Sequence, residues 1–221
     1  MNKNIVITGA NRGIGLAMTK HFQAQGDNVF ALCRQTSDEL NTLQVNVIEH
    51  VDVATELGIK HMAAALAKVN IDILVCNAGI LRDESLNDLN LDTIREQFEI
   101  NALAPLNVVA SLQQQLQQGA KIALITSRMG SIADNSSGGR YGYRMSKAAL
   151  NAAAMSLSHD LASQEIAVGI YHPGYVQTDM VNYGGDISAS ESAQRLVKLI
   201  NQLNLNESGV FRHSNGEVLP W

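Results

Sequence analysis

The stretch Ile5-Val-Ile-Thr-Gly-Ala-Asn-Arg-Gly-Ile-Gly15 opens as an apolar run of β-forming residues and breaks at a glycine. Residues 16–25 then place apolar side chains near a helical period, and Gly26 ends the pattern. A strand that passes through a glycine turn directly into a helix is typical of the first unit of a parallel α/β sheet. The stretch therefore predicts that fold class.

The same alternation continues along the rest of the chain. Further strand-like runs occupy residues 29–33, 45–51, 71–76, 121–127 and 166–172, with a short closing strand in 210–221. Helix-like segments lie at residues 54–68, 91–118 (interrupted by Pro105), 143–163 and 188–203. Strands that are almost continuously Val, Ile and Leu indicate a parallel sheet covered on both faces. We therefore predict one Rossmann-fold domain over residues 1–221: a doubly wound α/β structure with about seven parallel strands and helices on both faces.

Composition argues against several other classes of protein. The formal net charge of the 221-residue chain is −5, and no basic stripe suggests a nucleic-acid partner. No apolar run approaches the roughly 18 residues of a membrane span. Cys33 and Cys76 each end an apolar run without ligand spacing, so we expect buried, reduced thiols rather than a disulfide, and the histidines suggest no metal site. We expect a cytoplasmic location.

The glycine turn is a candidate phosphate-binding loop. Gly9, Gly13 and Gly15 permit a tight turn and close approach of backbone to a pyrophosphate at the helix N-terminus. Asn11, Arg12 and Ile14 complete the set of loop residues that we expect to contact a dinucleotide. The spacing is not GxGxxG, and the alternative is an ordinary turn between a strand and a helix.

Two arginines indicate which dinucleotide is bound. A carboxylate commonly binds the ribose 2′-hydroxyl of NAD, whereas a 2′-phosphate requires arginine. Arg12 lies in the glycine loop and Arg34 ends the second predicted strand, where no acidic residue stands. We therefore favour NADP(H) over NAD(H), although either arginine would also fit a solvated surface charge.

Other candidate cofactor contacts also follow predicted strands, where open parallel sheets bind their ligands. Asp52 is placed to meet an adenine amino group, or alternatively to cap the following helix. The turn at residues 173–174 is placed near a nicotinamide amide, or is a plain loop. These further candidates are Asp52, Val53, Asn77, Ala78, Gly79, Pro173, Gly174, Val176 and Thr178.

Three side chains suggest a proton-transfer site. Tyr143 and Lys147 are four residues apart, which places them on one face of a helix, and Ser127 ends the preceding strand. A phenol has a reference pKa of about 10, and a nearby cation favours its ionised form. Asn101 lies inside a predicted helix, where Pro105 removes the amide that would bond its carbonyl, leaving that carbonyl for a water.

Together these residues resemble the short-chain dehydrogenase/reductase family over nearly the whole chain. Thr8-Gly-x-x-x-Gly-x-Gly15, Asn77-Ala-Gly79, Asn101, Ser127, Tyr143-x-x-x-Lys147 and Pro173-Gly174 occur in that family's order. Residues 127–135, 172–179 and 216–221 are similar to its C-factor/sniffer-like carbonyl-reductase branch. Two departures are Cys76, where an asparagine often stands, and a longer interval between Ser127 and Tyr143.

The resemblance implies a role for each catalytic residue. Tyr143 protonates a carbonyl oxygen, Ser127 orients it, Lys147 holds the ribose and depresses the phenol pKa, and Asn101 positions a water. It also implies reversible, NADPH-dependent reduction of a small or medium carbonyl compound to an alcohol. The alternative is a cofactor-binding regulatory protein of C-factor type whose turnover is incidental.

The residues after the sixth strand suggest a substrate flap, and the resemblance suggests self-association. Residues 175–187 are expected to form a mobile flap over a partly apolar pocket, with contributions from Met129, Ile132, Met180 and Tyr183. A homodimer or homotetramer would pair through the helices at residues 91–118 and 143–163, although carbonyl reductases also occur as monomers.

Overall fold

The computed structural model describes residues 2–221 and contains a seven-stranded parallel sheet. In chain order its strands are β1 (Asn4–Thr8), β2 (Asn28–Leu32), β3 (Asn46–Ile48), β4 (Ile71–Cys76), β5 (Leu116–Ile125), β6 (Ala167–His172) and β9 (Phe211–His213). Their spatial order is β3-β2-β1-β4-β5-β6-β9, and every pair is parallel. The order reverses between β1 and β4, which makes the sheet doubly wound and confirms the predicted fold class.

Helices cover both faces of the sheet. They are α1 (Gly13–Ala24), α2 (Asp38–Asn41), α3 (Glu56–Ala65), α4 (Leu91–Phe98), α5 (Ala104–Ser111), α6 (Tyr141–Asp160) and α7 (Ala189–Gln202). A π-helical turn, Glu99–Leu103, joins α4 to α5. None of the helices formed by residues 2–221 is both long and apolar enough to cross a membrane.

Strand residues alternate between two hydrophobic cores, as the period of a β-strand requires. Val6 of β1 faces a core that includes residues of α3, α5 and α6. Its neighbours Ile5 and Ile7 face a second core that includes Phe22 of α1 and Leu196 of α7. Because each face is packed against helices, the strand ends are the part of the sheet left for a ligand.

The predicted helix over residues 91–118 and strand over 121–127 had wrong bounds. The helical part ends at Ser111, and β5 already begins at Leu116. Residues 112–118 are all leucine or glutamine, which are good helix formers, and contain no stop signal. Pairing of Leu116 with Ile71 in β4 overrides that preference, and the register shifts before it resumes at Lys121.

Smaller differences concern the loops. The four-residue helix α2 was not predicted, and the predicted flap contains two short paired strands, β7 (Val176–Gln177) and β8 (Ile187–Ser188). The closing strand covers only Phe211–His213 of the predicted residues 210–221. Cys33 and Cys76 are buried and unpaired, as predicted.

Candidate active site

The glycine loop after β1 has the backbone shape that a phosphate cradle needs. Gly9 and Gly13 have φ angles of +65° and +54°, in the region that favours glycine. A Cβ added to Gly15 would lie 2.2 Å from the Gly9 carbonyl oxygen. At the start of α1, Arg12 makes no side-chain capping hydrogen bond and the first turn contains no acidic residue. The amides of that turn therefore suit an anion.

A network of hydrogen bonds fixes this loop to the end of β4. The Thr8 hydroxyl accepts hydrogen bonds from the backbone amides of Asn77 and Ala78, at 3.0 and 3.1 Å. The Asn77 side chain donates to the carbonyls of Thr8 and Gly9, each at 3.1 Å. Asn77 thus holds the loop in place. Thr8 was absent from the sequence-based site residues, although it opens the glycine motif.

The two candidate phosphate-binding arginines differ in whether they form an ion pair. Arg34 is exposed at the end of β2 and forms no ion pair with any residue between 2 and 221. Arg12 pairs with Asp179 of the flap at 3.3 Å. Hydrogen bonding from Tyr183, followed by the charge and hydrogen bond of Arg12, lowers the pKa of Asp179. Asp179 was not predicted as a site residue, because no local pattern links it to the glycine loop.

Asp52 stabilises the turn before α3 but is not the N-cap of that helix. Its carboxylate accepts a hydrogen bond from the Ala54 amide at 3.1 Å. The N-cap is Thr55, whose hydroxyl accepts from the Gly58 amide at 3.1 Å. The alternative interpretation of Asp52 as the N-cap of this helix is therefore wrong, because its carboxylate bonds an amide that lies before the helix. Val53 packs partly buried against the core beside α3.

Ser127, Tyr143 and Lys147 come together at the end of β5. All three are buried, and the Ser127 hydroxyl is close enough to lower the pKa of the Tyr143 phenol. Lys147 Nζ lies 5.9 Å from the centroid of the Tyr143 ring and donates a hydrogen bond to the Ile125 carbonyl at 2.9 Å. The arrangement places a hydroxyl, a phenol and an amine around one point at the strand ends.

Close packing of the loop after β5 sets this geometry. A Cβ added to Gly130 would lie 2.8 Å from the carbonyl carbon of Lys147, so only glycine lets the loop reach α6. Ser127 caps that loop by accepting a hydrogen bond from the Met129 amide at 3.1 Å. The Thr126 hydroxyl donates to Asn151 of α6 at 2.7 Å. The end of β5 is thereby held against α6.

Asn101 lies in the π-helical turn and is fully buried. Its side-chain amide donates to the Ile80 carbonyl at 2.8 Å and to the Ser146 hydroxyl at 3.1 Å. Its side-chain oxygen accepts from the Ile80 amide at 2.9 Å. Single π turns occur frequently at functional sites. Ser146, which the sequence reasoning missed, links Asn101 to the helix that carries Tyr143 and Lys147.

The pKa of the Tyr143 phenol is shifted in the opposite direction to the one expected. Burial raises its pKa, and the hydrogen bond with Ser127 and the charge of Arg140 offset this only in part. The pKa depression that we expected from Lys147 is therefore not found in the protein alone. Burial also lowers the pKa of Lys147 to about 8, which reduces the fraction of its cationic form at neutral pH and above.

Gly79 leaves room for the Lys147 amine and the Asn101 side-chain amide, which both lie beside it. A Cβ at this position would lie 3.1 Å from the Asn101 side-chain oxygen and 3.6 Å from Lys147 Nζ. We therefore expect Gly79→Ala to lower kcat/KM by about tenfold, because small displacements at a reacting centre are costly. Steady-state kinetics checks this, with Lys68→Ala as the control because Lys68 is an exposed residue after α3. Equal losses in both variants would contradict the prediction.

Residues 173–178 return the chain from β6 to the glycine loop. The Pro173 carbonyl accepts hydrogen bonds from Ser192 and Ser214, at 2.7 and 2.9 Å, and Gly174 has a φ of +98°. The Thr178 methyl group lies 3.4 Å from the position of a Cβ on Gly13. This contact places the start of the flap against the phosphate cradle. The expected pocket residues that are exposed include Ile132, Met180 and Tyr183.

Comparisons with known proteins agree with this geometry. The sequence profile of the short chain dehydrogenase family matches residues 3–199. The chain is 35% identical over 223 residues to 1-hydroxy-2-glutathionyl-2-methyl-3-butene dehydrogenase of Rhodococcus sp. (strain AD45), covering 98% of this chain and 99% of that one. It is 42% identical over 154 residues to C-signal of Myxococcus xanthus, covering 68% of this chain and 93% of that one.

A solved structure extends the likeness to the whole fold. The NADPH-bound carbonyl reductase from chicken fatty liver superimposes with a TM-score of 0.91 at 30% identity, covering 100% of this chain and 99% of that chain. These relatives confirm the resemblance to the C-factor and carbonyl-reductase branch. With its family profile, glycine loop and buried serine, tyrosine and lysine, this chain belongs to the short chain dehydrogenase family.

Proposed function

We propose that this chain is an NADPH-dependent oxidoreductase that reduces a small or medium carbonyl compound to an alcohol, and catalyses the reverse reaction. One observation carries the proposal: Ser127, Tyr143 and Lys147 are buried together at the strand ends. The same edge of the sheet carries the glycine loop. A proton donor and a cofactor cradle at one edge are what carbonyl reduction by hydride transfer requires.

The residues at the strand ends fit a dinucleotide. The glycine cradle has no room for a Cβ at Gly15, and the first amides of α1 suit its pyrophosphate. Arg34 is the exposed cation at the end of β2, where a 2′-phosphate would lie. NADPH is bound in the chicken carbonyl reductase, which supports the same cofactor here. When bound, NADPH supplies the hydride.

The side chains of this chain manage the proton and the developing charge. Tyr143 donates its phenolic proton to the carbonyl oxygen, while Ser127 hydrogen-bonds the same oxygen and orients it. The raised pKa of Tyr143 keeps the phenol neutral, which is the form that an acid requires in the direction of reduction. Lys147 holds the ribose, and Asn101 positions a water that links Lys147 to solvent.

The presence of all four residues, Asn101, Ser127, Tyr143 and Lys147, does not favour the alternative of a regulatory protein with incidental turnover.

We also propose a cytoplasmic homodimer or homotetramer. Leu103 and Leu106, on the helical segment after α4, and Met145 on α6 are exposed apolar residues on the expected pairing helices. Light scattering of the purified protein tests this, and a monomer at micromolar concentration would contradict it.

A substrate panel tests the proposed activity. Oxidation of NADPH is followed at a fixed cofactor concentration with aldehydes, ketones and diketones, and binding of NADPH is measured separately by calorimetry. We expect tight binding and turnover of at least one carbonyl class. Binding without turnover of any compound would contradict the proposed reaction, and absence of binding would contradict the proposed cofactor.

We expect Arg34→Ala to raise the Kd for NADPH by about 10- to 100-fold, because a charge-assisted hydrogen bond contributes about 1.5–3 kcal/mol. The Kd for NADH should stay within about twofold, since NADH lacks the 2′-phosphate. Calorimetric titration with both cofactors checks this. Lys68→Ala, which removes an exposed cation after α3, serves as the control. An equal loss of both cofactors in Arg34→Ala would show that Arg34 does not read the 2′-phosphate.

A further inference from the structure

The helix that carries Tyr143 and Lys147 begins without a cap of its own. Its N-cap residue, Arg140, has a φ of +50° and makes no capping hydrogen bond with its side chain. The first amides of any helix lack partners within the helix, and leaving them unpaired in a buried place is costly. The start of α6 therefore needs an acceptor from elsewhere in the chain.

Glu84, in the loop between β4 and α4, supplies that acceptor. One of its carboxylate oxygens accepts a hydrogen bond from the Gly142 amide at 3.3 Å. Its backbone carbonyl accepts from the Arg140 amide at 2.8 Å. Gly142 directly precedes Tyr143 in the sequence. A residue 58 positions away thus holds the first turn of the catalytic helix by both its side chain and its backbone.

The second carboxylate oxygen of Glu84 ties the same point to α4. It accepts hydrogen bonds from the Thr93 hydroxyl at 2.9 Å and from the Gln97 amide at 2.6 Å. Glu84 is 4% exposed and Gln97 is fully buried. A Cβ added to Gly142 would lie 2.4 Å from Gln97 Nε2, so the two helices are already as close as a glycine permits. The carboxylate therefore fixes α6 against a rigid neighbour.

The charge of Glu84 has no cation to pair with. Within residues 2–221 no lysine or arginine forms an ion pair with it, and the nearby Arg140 pairs instead with Asp83. Burying a carboxylate is expensive unless hydrogen bonds and a favourable dipole compensate. The three donors and the positive end of the 20-residue helix α6 provide that compensation here. The N-terminus of α6 thus stabilises the buried carboxylate of Glu84.

We propose that Glu84 is a positioning residue, which sets the place of the Tyr143 phenol through the first turn of α6. The inference rests on the proposed reductase activity, because it concerns the group that protonates the substrate. Glu84 touches neither substrate nor cofactor in this scheme. Its effect reaches the reaction through Gly142 and the neighbouring Tyr143.

The test compares Glu84→Ala and Glu84→Gln with matched changes at Asp72. Asp72 also accepts a hydrogen bond from a distant backbone amide, that of Asn4 at 2.8 Å, but at the amino end of the sheet. We expect Glu84→Ala to lower kcat by about 10- to 100-fold, because misplacing a reacting group by about 1 Å has an effect of this size. Glu84→Gln, which keeps the shape, should show a smaller loss. Asp72→Ala and Asp72→Asn should keep kcat within about twofold.

Two readouts separate positioning from general loss of stability. The KM for NADPH should stay within about threefold in the Glu84 variants, while the primary isotope effect with C4-deuterated NADPH rises because the chemical step slows. Amide hydrogen exchange of residues 141–147 should increase more in Glu84→Gln than in Asp72→Asn. This exchange measurement needs neither cofactor nor substrate. If Glu84→Ala does not fold, the isosteric Glu84→Gln alone tests the positioning role.

The outcomes distinguish this inference from the proposed function. Wild-type turnover with unchanged kcat and unchanged exchange in Glu84→Gln overturns the role of Glu84 and leaves the reductase activity intact. Wild-type protein without turnover, but with increased exchange at residues 141–147 in Glu84→Gln, overturns the reductase activity and supports the structural link. A loss of kcat of the same size in Asp72→Asn would also overturn the positioning role.

Discussion

Tyr143→Phe is expected to lower kcat for carbonyl reduction by about 10²- to 10⁴-fold, the usual contribution of a positioned acid or base. The phenylalanine keeps the buried ring and removes only the phenolic hydroxyl. Binding of NADPH should persist, because the glycine loop and Arg34 are untouched. Steady-state kinetics and calorimetry measure the two effects separately.

Tyr141→Phe is the matched control for this substitution. Tyr141 lies two residues earlier on the same helix and is 36% exposed, and the residue four positions after it is Met145 rather than lysine. Its variant should retain kcat within about twofold. Equal activities for Tyr143→Phe and the wild type would show that another group supplies the proton.

Lys147→Met is expected to weaken NADPH binding by about 10- to 100-fold, since it removes a charge-assisted hydrogen bond to the ribose worth about 1.5–3 kcal/mol. The matched control is Lys121→Met, because Lys121 is also partly desolvated and donates to a backbone carbonyl, that of Asn201 at 2.6 Å. Lys121 lies within β5, four residues before the end of that strand at Ile125. Similar Kd values for both variants would contradict a cofactor role for Lys147.

The lowered pKa of Lys147 also predicts a pH dependence with a definite sign. Below pH 8 the side chain is mostly the ammonium that binds the ribose, and above that pH the neutral amine increases. The Kd for NADPH should therefore rise as the pH passes about 8, by up to about tenfold per pH unit, the limit for one linked proton. Titration calorimetry from pH 6.5 to 9.5 checks this. The same inflection in Lys147→Met would assign it to another group.

The sequence was sufficient to place the candidate site residues at the carboxyl ends of the strands, since apolar strand runs and the residues directly after them are local patterns. The glycine loop, Asn77, Ser127 and Tyr143 all follow or face predicted strand ends. The end of the helix before β5 was not predictable in this way, because Leu116 belongs to a helix-forming run. Only its pairing with Ile71, a contact between distant residues, makes it a strand.

The pKa shifts and charged contacts of the site could not be predicted from the sequence either. A lysine one helical turn from a tyrosine suggests a lowered phenol pKa, but the pKa is raised because the ring is buried. Glu84 stands in a polar loop with no pattern to mark it, and only the fold brings it to the start of α6. Asp179 is likewise brought to Arg12 by a return of the chain over 167 positions.

The most direct test of the account follows the hydrogen atom itself. NADPH deuterated at C4 of the nicotinamide, prepared separately on each face, is incubated with the protein and a carbonyl compound from the active part of the panel. The account predicts that mass spectrometry finds one deuterium on the new alcohol carbon from one of the two faces, and far less product with Tyr143→Phe. Product without deuterium from either face, or equal product from Tyr143→Phe, would contradict it.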